Sequence, residues 1–252
     1  MKITNILSFL LILCGIFINC QISLNVKEVD YDKFEFYVPQ HRTVADQEIK
    51  NKGHILEITL SNNSDKEITL PLDTLSYAIP YTDKIDQYYN KPENIISNPD
   101  VFNALGIHPI IYQNNQFKEQ ELADYPFYEE EQWVEKAKIE EIRLEKINNW
   151  KKSRKIENQL FANYNWYILN NMITIQPHQE IKYKIHFNPF SKMLHSLGYQ
   201  EFYYRLKPKA TYEVTFKIIL NKNLYQFLTE EDKRKYPNLF TGVISSKTMT
   251  FQ

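Results

Sequence analysis

"HILEITLSNNSDKEITLPL", residues 54–72, carries the fold in miniature. Leu56, Ile58 and Leu60 alternate with Glu57, Thr59 and Ser61. Asn62, Asn63, Ser64 and Asp65 follow, with side chains that bond their own backbone and favour a turn. Ile68, Leu70 and Leu72 then resume the alternation against Glu67, Thr69 and Pro71. Successive side chains of a strand point to opposite faces, so a period of two gives one apolar and one polar face. Two such runs around a turn predict strand, turn, strand. Pro71 has no N–H to donate, which places it at a strand end or a sheet edge.

The same style continues on both sides. Upstream, Ile22, Leu24 and Val26 alternate, and "KFEFYV" (33–38) reads as a further strand. Downstream, Ile173 and Ile175 alternate, and "PHQE" (177–180) turns the chain. Ile181, Tyr183, Ile185 and Phe187 then alternate with Lys182, Lys184 and His186, which puts His186 on a polar face. "EFYYRL" (201–206) follows, then "LKPKA" as a turn. Tyr212, Val214, Phe216, Ile218 and Leu220 make the longest alternating run. A short helix is expected from Thr229, with Asp232 placed to complete a capping box, before a last strand at 242–251. About eight strands with short turns predict a mainly β chain folded as an antiparallel Ig-like β-sandwich.

The arrangement resembles the Ig-like sandwiches of exported bacterial proteins, and in places the bacterial proteinase-inhibitor-type domain. The resemblance is carried by the strand entering "NNSDK", by "QPHQEIKYKI" and by "LKPKATYEVTF". Such domains commonly read Pro-Gly at the last two turns. Here Pro177-His178 and Pro208-Lys209 stand instead. The resemblance implies a sandwich and carries no activity.

The middle of the chain differs. Tyr81 to Phe127 shows little periodicity and is punctuated by Pro92, Pro99, Pro109 and Pro126. Residues 129–162 then lack Gly and Pro and are rich in helix formers. Asp124 is the expected N-cap. Glu129, Glu130 and Glu131 stand near the start and Lys151, Lys152, Arg154 and Lys155 near the end, the order a helix dipole favours. Trp133, Ala137, Leu144 and Ile147 share one stripe, with Ile139 and Trp150 on its flank and Ile142 nearly opposite. The stripe either packs on the sandwich or stays partly open to receive a partner. On the second reading Trp133 and Trp150 are the candidate partner-binding residues, since tryptophan is enriched at interface hot spots.

The N-terminus reads as an export signal. Met1-Lys2 supplies a positive charge, and an apolar run from Ile6 to Ile18 follows, shorter than the ~20 residues a membrane-spanning helix needs. Both cysteines, Cys14 and Cys20, fall here. The layout resembles a bacterial lipoprotein signal with Cys20 as the lipid anchor, although Ile18 and Asn19 are larger than the residues that usually precede such a cysteine. The alternatives are an ordinary cut after Cys20 and an uncut anchor. The expected organisation is a signal peptide at 1–20 and a single sandwich domain at 21–252, with a mostly helical insertion at about 85–162. The expected location is outside the cytoplasm: periplasmic, secreted or an envelope lipoprotein.

Composition narrows the function. At most one cysteine remains after the signal, so no internal disulfide and no Cys-x-x-Cys site can form. A net charge of −1 gives no bulk attraction to nucleic acid or to an anionic membrane, so a membrane is met only through the anchor. Gly53, Gly106, Gly198 and Gly242 are isolated, which excludes a phosphate loop and a dinucleotide fingerprint. His178, His186 and His195 are near one another in sequence, but a turn, a polar strand face and a loop make them surface residues rather than metal ligands. No catalytic, cofactor-binding or metal residues are therefore assigned. The leading reading is a non-catalytic envelope or secreted binding protein whose partner is a protein or a surface glycan. The alternatives are an envelope immunity or inhibitor protein that blocks a toxin or protease, and an enzyme of a type no motif marks.

Overall fold

The structure is a computed structural model. It describes residues 22–30, 54–75, 77–78, 105–124, 130–187, 189, 193–194, 200–204, 206 and 210–251. The expected signal with Cys20, the run "KFEFYV", His41 and His195 lie outside the described residues.

The chain is mainly β with antiparallel sheets, and its two larger sheets face one another as in a sandwich. The first sheet has the order β1-β2-β8, from β1 (Ile22–Val29), β2 (His54–Asn62) and β8 (Glu180–Phe187). The second is built on β11 (Tyr212–Leu220). On one side β11 pairs β4 (His108–Gln113), which pairs β5 (Gln116–Phe117). On its other side are β12 (Gly242–Ser245) and β13 (Met249–Phe251), so the expected last strand is broken in two along β11. Two smaller sheets pair β3 (Ile68–Pro71) with β7 (Met172–Ile175), and β6 (Gln120–Asp124) and β9 (Met193–Leu194) with β10 (Gln200–Tyr204).

The alternation reads directly into the core. Leu56, Ile58 and Leu60 are fully buried, and Tyr212, Val214, Phe216, Ile218 and Leu220 are all buried from the facing sheet. Phe187 of β8 joins the layers. Its ring lies 5.3 Å from Phe216, 5.9 Å from Phe251 and 5.4 Å from Tyr77, all in edge or tilted geometry, where aromatic quadrupoles attract.

His186 is a correction. It is buried, not on a solvated face. Its cross-strand partner is Ile55, itself buried between β1 and β8, and residues opposite one another on one face share their burial.

The insertion also differs from expectation. Its first half holds β4 to β6, and β4 is buried within the second sheet. Pro109 is accommodated near the start of β4, at the end that two-residue β5 does not reach. Asn114 and Asn115 link β4 to β5 with φ of 54° and 59°, the two left-handed residues of a tight hairpin turn. Asp124, the expected N-cap, is instead the last residue of β6, and the helix begins at Glu130.

The expected single helix is two: α1 (Glu130–Ser153) and α2 (Gln159–Asn170). The break is a Schellman motif. The Ile156 N–H donates to the Lys151 carbonyl and the Lys155 N–H to that of Lys152, with Lys155 at φ 54°. Asn158 then caps α2, its side chain accepting from the Phe161 N–H at 2.9 Å. α2 buries Ala162, Tyr164 and Ile168 in the core, and Tyr164 stacks on Phe227 at 4.1 Å.

Candidate functional site

Two surfaces stand out, and both are set by polar side chains that fasten local elements to the core. The first lies on α1. Its last turns are fastened by a cluster around Asp232, the third residue of α3 (Glu230–Lys235). Thr229 and Asp232 form the expected capping box, the Thr229 N–H and hydroxyl donating to one carboxylate oxygen at 3.0 and 2.8 Å. Asn165 of α2 donates to that oxygen at 3.0 Å and to the Phe227 carbonyl at 2.8 Å. Arg154 donates to the other carboxylate oxygen at 2.5 Å. Trp150 completes the cluster: its indole N–H donates to the Asn165 side-chain amide oxygen, Oδ1, at 2.9 Å, and the Arg154 guanidinium lies over its ring at 4.9 Å.

Asp232 is only 3% exposed. Burial alone would push its carboxyl upward. Hydrogen bonds from Asn165, Thr229 and Arg154 outweigh that and hold it below the usual carboxylate range. It is ionised near neutral pH and serves as the acceptor on which α1, α2 and α3 converge.

Trp150, expected as a partner-binding residue, is therefore a half-buried internal anchor. Trp133 lies within α1, and its side chain is outside the described residues. The stripe that joined them divides. Ile147 is buried, while Ala137 and Leu144, about 60–80° round the helix from it, are exposed, Leu144 by 49%. Val134 and Ile142 are exposed as well. A shallow depression of about 720 Å³ opens on this face beside Ala137, Glu141, Leu144 and Asn148.

The second surface is an open groove of about 790 Å³ between the β2–β3 turn and residues 238–241. Buried Asn62 shapes the turn. Its amide donates to the carbonyls of Lys66, Ile175 and Gln176 at 2.7, 3.0 and 3.2 Å, and accepts from the Ser64 N–H and hydroxyl. The opposite wall is laced to β3: the Thr69 N–H donates to the Asn238 carbonyl, and the Phe240 N–H to the Thr69 carbonyl. The Tyr225 hydroxyl also donates to the Phe240 carbonyl at 2.6 Å. The turn residues were legible as a turn, but the wall they face, residues 238–241, comes from a distant part of the chain and left no local signal.

Of the expected surface histidines, only His178 among the described ones is exposed; it occupies the 177–178 turn and meets Asp65 at 2.9 Å. His108 is buried in β4. Burial raises the phenols of Tyr183 and Tyr204, and pushes that of Tyr164 up to about 12, so all three stay protonated at neutral pH. Among the described residues, no group of three His, Cys, Asp or Glu side chains is placed to hold a metal, and no helix is long and apolar enough to cross a membrane. No family model, curated protein or solved structure matches the chain.

Proposed function

We propose that this is an exported, envelope-associated binding protein that acts without catalysis, and that α1 presents its contact surface to a protein partner. The observation that carries the reading is a helix anchored along one side by Ile147 and Trp150 that exposes Leu144 and Val134, about 80° apart, on another, with Ile142 exposed a further ~80° round from Val134. Large apolar side chains grouped on one exposed face are a common mark of a contact surface. Long insertions in compact domains are also often the functional ones.

The Ig-like character, the lipid anchor on Cys20 and the envelope location belong to the same proposal. They are supported by the apolar run before Cys20, the two facing sheets and the strand segments that resemble those of exported sandwiches.

A photo-reactive residue at Leu144 tests the contact in the living host. The expected result is a discrete cross-linked adduct with one envelope protein, absent when the label is at Thr215 on β11. Labelling at Leu144 that gives no adduct, or the same adducts as Thr215, would overturn the reading.

A further inference from the structure

The groove beside the β2–β3 turn has a chemistry of its own. Both walls are fixed by bonds to the core, through Asn62 on one side and through Thr69 and Tyr225 on the other. A site already in place costs a ligand little ordering on binding. Its apolar element is Phe240, half-buried, with Leu239 beside it. The Phe240 ring lies over Gly242, whose φ of 139° suits glycine; an added Cβ there would come 3.3 Å from the ring, so the glycine leaves it room.

Polar side chains share the lining with that aromatic. Asn63 and Asn238 are exposed amides, and Asn238 donates to Glu67 at 3.3 Å. Gln176 reaches the other Glu67 oxygen at 3.5 Å. Asp65 and Glu67 outnumber the one lysine of the lining, Lys66, so phosphates, sulfates and acidic polymers are disfavoured. Strand addition on β3 is closed too, because β7 and residues 238–240 already flank it on both sides. An excess of one carboxylate is too weak to select a cation, so the groove suits a neutral ligand with an apolar face and many groups that both donate and accept hydrogen bonds. A sugar ring has that character: its C–H face lies against an aromatic ring, and its hydroxyls meet amides and carboxylates.

From this we infer that the groove binds a neutral oligosaccharide, with a sugar face on Phe240 and hydroxyls on Asn238, Asn63 and Glu67. The inference extends the binding-protein reading to a second ligand class and uses none of the α1 residues.

Amide spectra of the processed protein, titrated with short neutral oligosaccharides, test it. The probes are β-linked glucose, β-linked N-acetylglucosamine and α-linked glucose chains. The expected result is saturable shifts at residues 63–68 and 238–241 with at least one of them. Asn238→Ala, at an exposed position, and Glu67→Gln, which keeps the side chain's size at a half-buried one, are expected to weaken that binding roughly tenfold each while leaving the rest of the spectrum in place. Phe240→Leu is expected to weaken it further, and its spectrum reports whether the fold is kept. No shifts with any probe at millimolar concentration would overturn the inference. So would shifts elsewhere, unchanged binding by the variants, or a response of these residues to a neutral peptide mixture in place of the sugars. Loss of the Leu144 adduct leaves this titration unaffected, so the two readings fail separately.

Discussion

Asp232 shows how much one side chain can hold. Its two oxygens accept from Thr229, Asn165 and Arg154, and Trp150 is tied in through Asn165. Asp232→Asn keeps the shape but puts an N–H₂ where an acceptor stood and leaves Arg154 without its counter-charge. The expected loss is about 2 kcal/mol, below the full value for a broken buried pair because the Arg154 side chain keeps 23% exposure. Chemical denaturation of both proteins measures it. The pH dependence has a fixed sign. A carboxyl held below its unfolded value stabilises the fold above that value, and the contribution is lost as pH falls through the native pKa. The wild type is therefore expected to lose stability as pH drops below about 4, and Asp232→Asn to lose less over the same range. Equal acid losses in both would remove Asp232 from its central place. The sequence disclosed the capping box through Thr229 and Asp232. It did not disclose Arg154, Asn165 or Trp150 as partners, because Asn165 and Arg154 stand 67 and 78 positions from Asp232 and Trp150 joins the cluster through Asn165.

At the scale of elements, alternation was a sound guide where one face of a strand is solvated. The apolar positions it marked are buried in β2 and β11 and at Ile185 and Phe187 of β8, although Thr59, His186 and Ile219 at alternate positions are buried as well. β4 did not show, because "HPIIYQ" is buried on nearly every residue and carries a proline, so no period of two survives. The Asn114-Asn115 pair was the signal that marked its hairpin. The helix break was hidden for a different reason. The Schellman position is usually glycine, and here it is Lys155. The same holds at the 177–178 turn: the Gln179 N–H donates back to the Gln176 carbonyl, and His178, at φ 58°, takes a left-handed position that glycine favours. A side chain in that region costs about 1 kcal/mol or more. Lys155→Gly and His178→Gly are therefore each expected to raise stability by up to about 1 kcal/mol. The exposed His178–Asp65 pair offsets little of this. Thermal melts check both, and lower melting temperatures would show that these side chains hold their turns by contacts that outweigh the strain.

At the scale of the molecule, the first strand links fold to location. β1 begins at Ile22, two residues after Cys20, so the two Cα atoms are at most about 7.6 Å apart. Ile22 pairs with Asn62, at the end of the sheet that carries the β2–β3 turn and the groove. An acyl anchor on Cys20 would hold that end at the bilayer, with the far end of β1 about 23 Å away along the strand. The processed protein is expected to begin at an acylated Cys20, and Cys20→Ser to be released from the membrane or left unprocessed. A lipid-free N-terminus at Gln21 or later, read by mass spectrometry, would refute the anchor. The composition and the strand pattern made the sandwich legible, but the surfaces come from chain segments that meet only in the folded protein. The most direct test of the account is amide hydrogen exchange on the processed protein, alone and with envelope extract of its host. Slower exchange is expected on α1 around Leu144 and at residues 63–68 and 238–241, with β2, β8 and β11 unchanged. Identical exchange with and without extract on both surfaces would contradict it.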